Sequence, residues 1–285
     1  MTALLPSSLT AALSELTRPI GVFDSGVGGL TVLKALREAL PKRDFVYLGD
    51  TARLPYGRKP RDMVAGFARG NTNFLVGLGV EAVVVACNTA ASSAPNLGRE
   101  FPVPMFDVIS PGVEAARRRT RDGHVGVIAT KGTVAAGAYQ ARLEAQGLRV
   151  WAKACPMFVP IVEEGLTDSE EARLLADLYL RGRPEIDTLI LGCTHYPVLR
   201  NVLQETVGTT VQLVDSAEVT AEVVRAALGS EGSGSGRIVH LVTGDTVAYE
   251  HTARNIGGVD GVVIHLDVTH LVAAETAHKE AHVAR

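Results

Sequence analysis

Three cysteines in 285 residues, none of them in a CxxC pair, leave nothing from which to build a disulfide framework or a zinc cage. Reduced thiols in a reducing compartment are therefore expected. No segment approaches the roughly 18 apolar residues of a membrane span, and a composition of 46% hydrophobic and 21% charged residues is that of an ordinary soluble globular chain. An excess of one charge is also missing. The 28 basic and 31 acidic residues are mixed along the chain, for a formal net charge of −3, which offers no electrostatic footprint for nucleic acid or an anionic membrane. The tightest basic run, Arg117 to Arg121, reads as a solvated face at the end of a helix. The opening stretch MTALLPSSLTAALSELTRP has no basic leader region, and Pro6, Ser7 and Ser8 interrupt its apolar residues. A short extra arm or helix is expected there, not a signal peptide. What survives these exclusions is a cytoplasmic globular protein with enough chain for two compact domains.

Short β-branched runs are abundant: IGVFD, FVYLGD, AVVVACN, VPMFDVI, HVGVIAT, TLILGCT, VQLVD, IVHLVTGD and VVIHLDV, with helical stretches between them. Near-continuous apolar strands separated by helices predict an α/β fold with parallel sheets covered on both faces. Leu30, Leu33, Leu36 and Leu40 lie along one face of a helix that Pro41 stops, and Thr167 with Glu170 forms a candidate capping box before TDSEEARLLADLYL. The chain also repeats itself weakly. VFDSG at Val22–Gly26 is echoed by LVDSA at Leu213–Ala217, and VVVACNTA by LILGCTHY, with the two cysteines about a domain's length apart. Such symmetry fits two similar α/β domains whose strand ends meet in a cleft. GSEGSGSGR, Gly229 to Arg237, reads as a flexible solvated surface loop.

Ligands of open parallel sheets bind beyond the carboxyl ends of the strands. Asp24, Ser25, Gly26, Gly28 and Gly29 follow the first strand there; Cys87, Asn88 and Thr89 follow another; Cys193, Thr194 and His195 follow a third. Strands turning directly into helices aim N–H groups at a ligand, an arrangement that suits a carboxylate. The glycine-rich turn DSGVGGLT is a poor dinucleotide site, because Thr31 stands where the fingerprint needs its third glycine and Asp24 would repel a pyrophosphate. Cys155 reads as a packing residue. Cys87 and Cys193 sit beside hydroxyl and amide groups that can stabilise a thiolate. His195 is open to several readings: a satisfied interior histidine, the base of a Cys–His nucleophile, or a proton-handling neighbour of Cys193. A metal site lacks a third spaced ligand. Two facing cysteines suit the inversion of a stereocentre by proton transfer, in which one group removes hydrogen from one face of a carbon and a second returns it to the other.

The segments IGVFDSGVGGLTVL, YLGDTARLPYG, ACNTAAS, CPMFVPIVEEG and LGCTHYPVL, in this order from about Ile20 to Asp267, together resemble the bacterial glutamate racemases of the wider aspartate/glutamate racemase superfamily. The resemblance implies two Rossmann-like or flavodoxin-like domains with the active site in the cleft between them, residues 1–112 with 216–285 forming one and 113–215 the other. It implies interconversion of L- and D-glutamate without pyridoxal phosphate, other cofactor or metal, supplying D-glutamate for peptidoglycan. By motif position Cys87 would handle the proton on D-glutamate and Cys193 that on L-glutamate, with Asp24 assisting the first, His195 the second, and Glu163 as a further acid ahead of its neighbour Glu164. Asp24, Ser25, Tyr56, Gly57, Asn88, Thr89, Thr194 and His195 would bind the substrate, and Thr130 and Thr133 would reach it from the second domain. A homodimer is compatible with the resemblance. Two other readings stay open at this point: a superfamily racemase acting on aspartate or a hydantoin, and a binding or inhibitory protein that keeps the fold without turnover.

Overall fold

A computed structural model describes residues 5–283. The four N-terminal and two C-terminal residues, parts of the expected arm and of the expected first domain, lie outside the described residues. Ten strands are present among the described residues: β1 (Ile20–Asp24), β2 (Phe45–Gly49), β3 (Ala82–Val85), β4 (Met105–Asp107), β5 (His124–Ala129), β6 (Arg149–Ala154), β7 (Thr188–Gly192), β8 (Gln212–Asp215), β9 (Ile238–Val242) and β10 (Val262–His265). They form a six-stranded sheet ordered β10-β9-β2-β1-β3-β4 and a four-stranded sheet ordered β6-β5-β7-β8. Every pairing is parallel. The apolar runs explain this: β1, β2, β3, β7 and β9 are buried at every residue, as strands with helices on both faces must be.

Both sheets reverse direction at a comparable place. In the first, the chain steps from β1 outward to β2 on one side and to β3 on the other; in the second, from β5 to β6 and then back to β7. Adjacent strands whose connections leave in opposite directions open a crevice at their carboxyl ends. Asp24 ends β1 and Cys87 follows β3; Thr130 follows β5 and Cys193 follows β7. We propose the division 1–112 with 216–285 and 113–215, which strand membership supports.

Four local expectations need revision. The strand β6 lacks the long β-branched run of the others, because Arg149 and Lys153 enclose only Val150, Trp151 and Ala152 on a partly exposed edge. The helix Glu170–Leu180 is capped by Ser169, whose hydroxyl accepts from the Ala172 N–H at 3.2 Å; Thr167 stands outside it in a turn. The VDS echo is local: Asp215 accepts from the Ala217 N–H at 2.8 Å much as Asp24 accepts from the Gly26 N–H at 2.9 Å, but β8 lies at a sheet edge. The Gly/Ser segment is anchored as well as exposed, for the buried Asp44 carboxylate accepts from the N–H groups of Ser235 and Arg237, each at 2.9 Å. Two other local expectations match the structure. Leu30, Leu33, Leu36 and Leu40 are buried, and the arm contains a helix, Ser7–Ser14, whose Leu9 is buried.

Candidate active site

A cavity of about 240 Å³ lies where the two crevices face each other. Asp24, Ser25, Tyr56, Gly57, Cys87, Asn88 and Thr89 line it from the half built on β1–β4, and Thr130, Glu163, Cys193, Thr194 and His195 from the half built on β5–β8. Thr133 does not line it; its hydroxyl instead closes a triangle with those of Thr89 and Thr130, with sides of 3.0 to 3.1 Å, that ties the halves together. Tyr56 also borders it, but its hydroxyl is engaged by residues outside the lining, donating to the Asp50 carboxylate and accepting from Asn71. Sequence reasoning missed the apolar walls, Leu54, Pro55, Pro156, Val159 and Pro160, and the exposed cations Arg58 and Lys131 at the border. Only the glycine and proline punctuation hinted at those loops. Among the described residues, no cluster of three or more His, Cys, Asp or Glu side chains could hold a metal ion.

Close approach of the two turns requires glycine at position 28. A Cβ there would stand 2.3 Å from Thr194 Oγ1 and 2.5 Å from His195 Nδ1. Thr31 closes the same seam by donating its hydroxyl to the Thr194 carbonyl at 2.9 Å. Tyr139, from the second half, donates to Asn88 Oδ1 at 2.7 Å, leaving Asn88 Nδ2 buried and without a partner. Asp24 Oδ1 is likewise buried and unpartnered. Buried polar atoms are almost always paired, so a donor and an acceptor left over in one cleft mark where a polar ligand belongs.

The two thiols, each 5% exposed, have different surroundings. Cys87 caps the helix Asn88–Ser93, its sulfur accepting from the Ala90 N–H at 3.5 Å and lying 3.8 Å from Ser25 Oγ. Burial, reinforced by the nearby Asp24 carboxylate, pushes its pKa up to about 12. Asp24 is itself shifted upward by burial, against the pull of His195 and of the backbone N–H groups around it. Cys193 Sγ lies 3.8 Å from His195 Nδ1, and His195 Nε2 lies 2.9 Å from Glu163 Oε1. Burial alone would lower the His195 pKa, but hydrogen bonding to Cys193 and Glu163 outweighs it and lifts the imidazole to about 10. One sulfur therefore keeps its proton at neutral pH, and the other sits against an imidazolium. Cys155 is fully buried, its sulfur 3.7 Å from the Lys153 carbonyl.

Comparison with known proteins gives these features a context. Glutamate racemase from Thermus thermophilus is 52% identical over 245 residues, covering 84% of this chain and 92% of that protein. A crystal structure of glutamate racemase from Thermus thermophilus in complex with β-chloro-D-alanine superposes with a TM-score of 0.83 at 50% identity, covering 88% of this chain and 98% of that one. The structure of the Francisella tularensis glutamate racemase in complex with D-glutamate gives 0.80 at 31% identity, with 88% and 98% covered. Residues 20–224, which carry both cysteine turns, match the Asp/Glu/Hydantoin racemase family, and the chain is a member of that family.

Proposed function

We propose that the protein interconverts L- and D-glutamate by two-base proton transfer at the α-carbon, with Cys87 and Cys193 as the bases and no organic cofactor. The observation that carries this reading is the pair of thiols that border one cavity from two separate sheets, one beside Asp24 and the other beside the His195–Glu163 pair. From L-glutamate, the Cys193 thiolate takes the α-proton while the Cys87 thiol, protonated at rest, donates to the opposite face. The reverse reaction runs from the enzyme form with these protons exchanged. The carbanion would be stabilised by preorganised hydrogen bonds to the α-carboxylate, for which Asn88 Nδ2 is a free donor. Asp24 Oδ1 is a free acceptor for the ammonium group. Substrate choice follows the similarity to glutamate racemases, among them one crystallised with D-glutamate. The same reading gives a cytoplasmic enzyme, where its three free thiols stay reduced, that supplies D-glutamate for peptidoglycan.

Circular dichroism of glutamate solutions tests this directly. Cys87→Ala and Cys193→Ala are each expected to lower racemisation by about a thousandfold or more, and Cys155→Ala to retain it. In D2O, early product should carry solvent deuterium while remaining substrate keeps its hydrogen. Full activity in either active-site variant, or exchange into substrate well ahead of inversion, would contradict the two-thiol scheme. A panel of glutamate, aspartate and hydantoins separates the superfamily alternatives, and an absence of turnover on all of them would favour a binding protein.

A further inference from the structure

The chain of contacts beginning at Cys193 does not stop at Glu163. Glu163 is the last residue of the helix Phe158–Glu163, in the half built on β5–β8, and the final carbonyls of a helix have no partner within it. The turn that follows satisfies two earlier ones: the Gly165 N–H bonds the Val162 carbonyl at 3.0 Å and the Leu166 N–H bonds the Ile161 carbonyl at 2.9 Å. The Glu163 carbonyl is taken by a side chain from the other half. Asn255, just beyond the helix Thr246–Ala253, donates Nδ2 to it at 2.8 Å. Position 165 is adapted to this contact twice over. Its φ of +74° is the left-handed conformation that favours glycine, and a Cβ there would press on the Asn255 amide at 3.1 Å.

We propose that Asn255 is a positioning residue for the proton relay at Cys193. By fixing the end of the helix that carries Glu163, it holds that carboxylate on His195 and so keeps the imidazole in register with the sulfur. The proposal rests on the two-thiol reading above and adds to it a residue that touches neither substrate nor thiol.

Its test uses the whole enzyme and α-deuterated glutamate. Because L- and D-glutamate are mirror images, the equilibrium constant is one, and kcat/KM for the two enantiomers must stay equal in every variant. Damage confined to one sulfur leaves that ratio unchanged and is read from isotope effects. Asn255→Ala and the isosteric Asn255→Asp, which cannot donate at neutral pH, are expected to lower kcat/KM about three- to tenfold. Both should raise the isotope effect for α-deuterated L-glutamate, whose proton Cys193 removes, and lower it for the D-enantiomer. Glu163→Gln should shift both effects in the same sense and further. Thermal midpoints near that of the unaltered enzyme will show that the partly exposed site tolerates the changes. Isotope effects unchanged in either Asn255 variant overturn the positioning role while leaving the racemase reading intact. An unaltered enzyme that does not racemise glutamate overturns the reading, and the proposal with it.

Discussion

At the scale of single residues, the site depends on what is absent as much as on what is present. Gly28 is a contact surface: the missing Cβ lets the first turn lie against Thr194 and His195. Gly28→Ala is expected to cost about 1–3 kcal/mol by overpacking and to depress kcat more than KM, because the atoms it displaces belong to the imidazole beside Cys193. Thermal melting together with steady-state kinetics checks both parts. His195 gives a pH expectation. Its pKa is raised to about 10, so the imidazolium persists through neutrality, and kcat/KM should fall as pH rises towards 10. A flat profile up to that pH would argue against a role for the cation. The cysteines, Asp24 and His195 could be singled out in the sequence because each follows a strand that the apolar pattern marks. Asn255 could not. It works through a main-chain carbonyl 92 residues away, and nothing in its neighbours signals that partner.

At the scale of elements, strands buried on both faces were legible and the rest less so. An uninterrupted β-branched run such as AVVVA tolerates few other conformations, whereas β6 has only three apolar residues between Arg149 and Lys153, at an edge, and resembles a solvated helix or loop. Caps were ambiguous for a related reason. Thr167 and Ser169 both lie within reach of the same helix start, and local chemistry alone does not choose between them. Asp44 decides the fate of two segments at once. Its carboxylate accepts from the Thr17 N–H at 2.8 Å as well as from Ser235 and Arg237, pinning the N-terminal arm and the Gly/Ser loop to the start of β2. Asp44→Ala strands three donors and is expected to destabilise the fold by about 3 kcal/mol. Racemisation by the surviving folded protein should be unaffected, since the network lies at the amino ends of the strands, away from the cavity. Chemical denaturation and an activity assay on the same sample separate the two effects.

For the whole molecule, the sequence disclosed two α/β halves but not how tightly they are joined, since the ties include hydrogen bonds between distant residues, among them Thr31 to Thr194, Tyr139 to Asn88, Thr89 to Thr130 and Asn255 to Glu163. Global stability has its own pH signature. His240 is buried between Tyr249 and the Asp260 carbonyl, and burial lowers its pKa to about 4. A folded-state pKa below the unfolded value near 6.5 means that the unfolded chain binds the proton first. Stability from this group is complete above about pH 6.5 and is lost as pH falls through 4, by up to roughly 3 kcal/mol. Replacing His240 by Gln should flatten that acid limb in urea titrations taken from pH 7 to 4.

The order β10-β9-β2-β1-β3-β4 sets a timetable for synthesis. While the ribosome is still delivering residues 124–215, β2 waits with one flank unpaired, because its neighbour β9 has not yet been made. Nascent chains halted before residue 238 should therefore be the aggregation-prone species, and those extended past residue 265 should not.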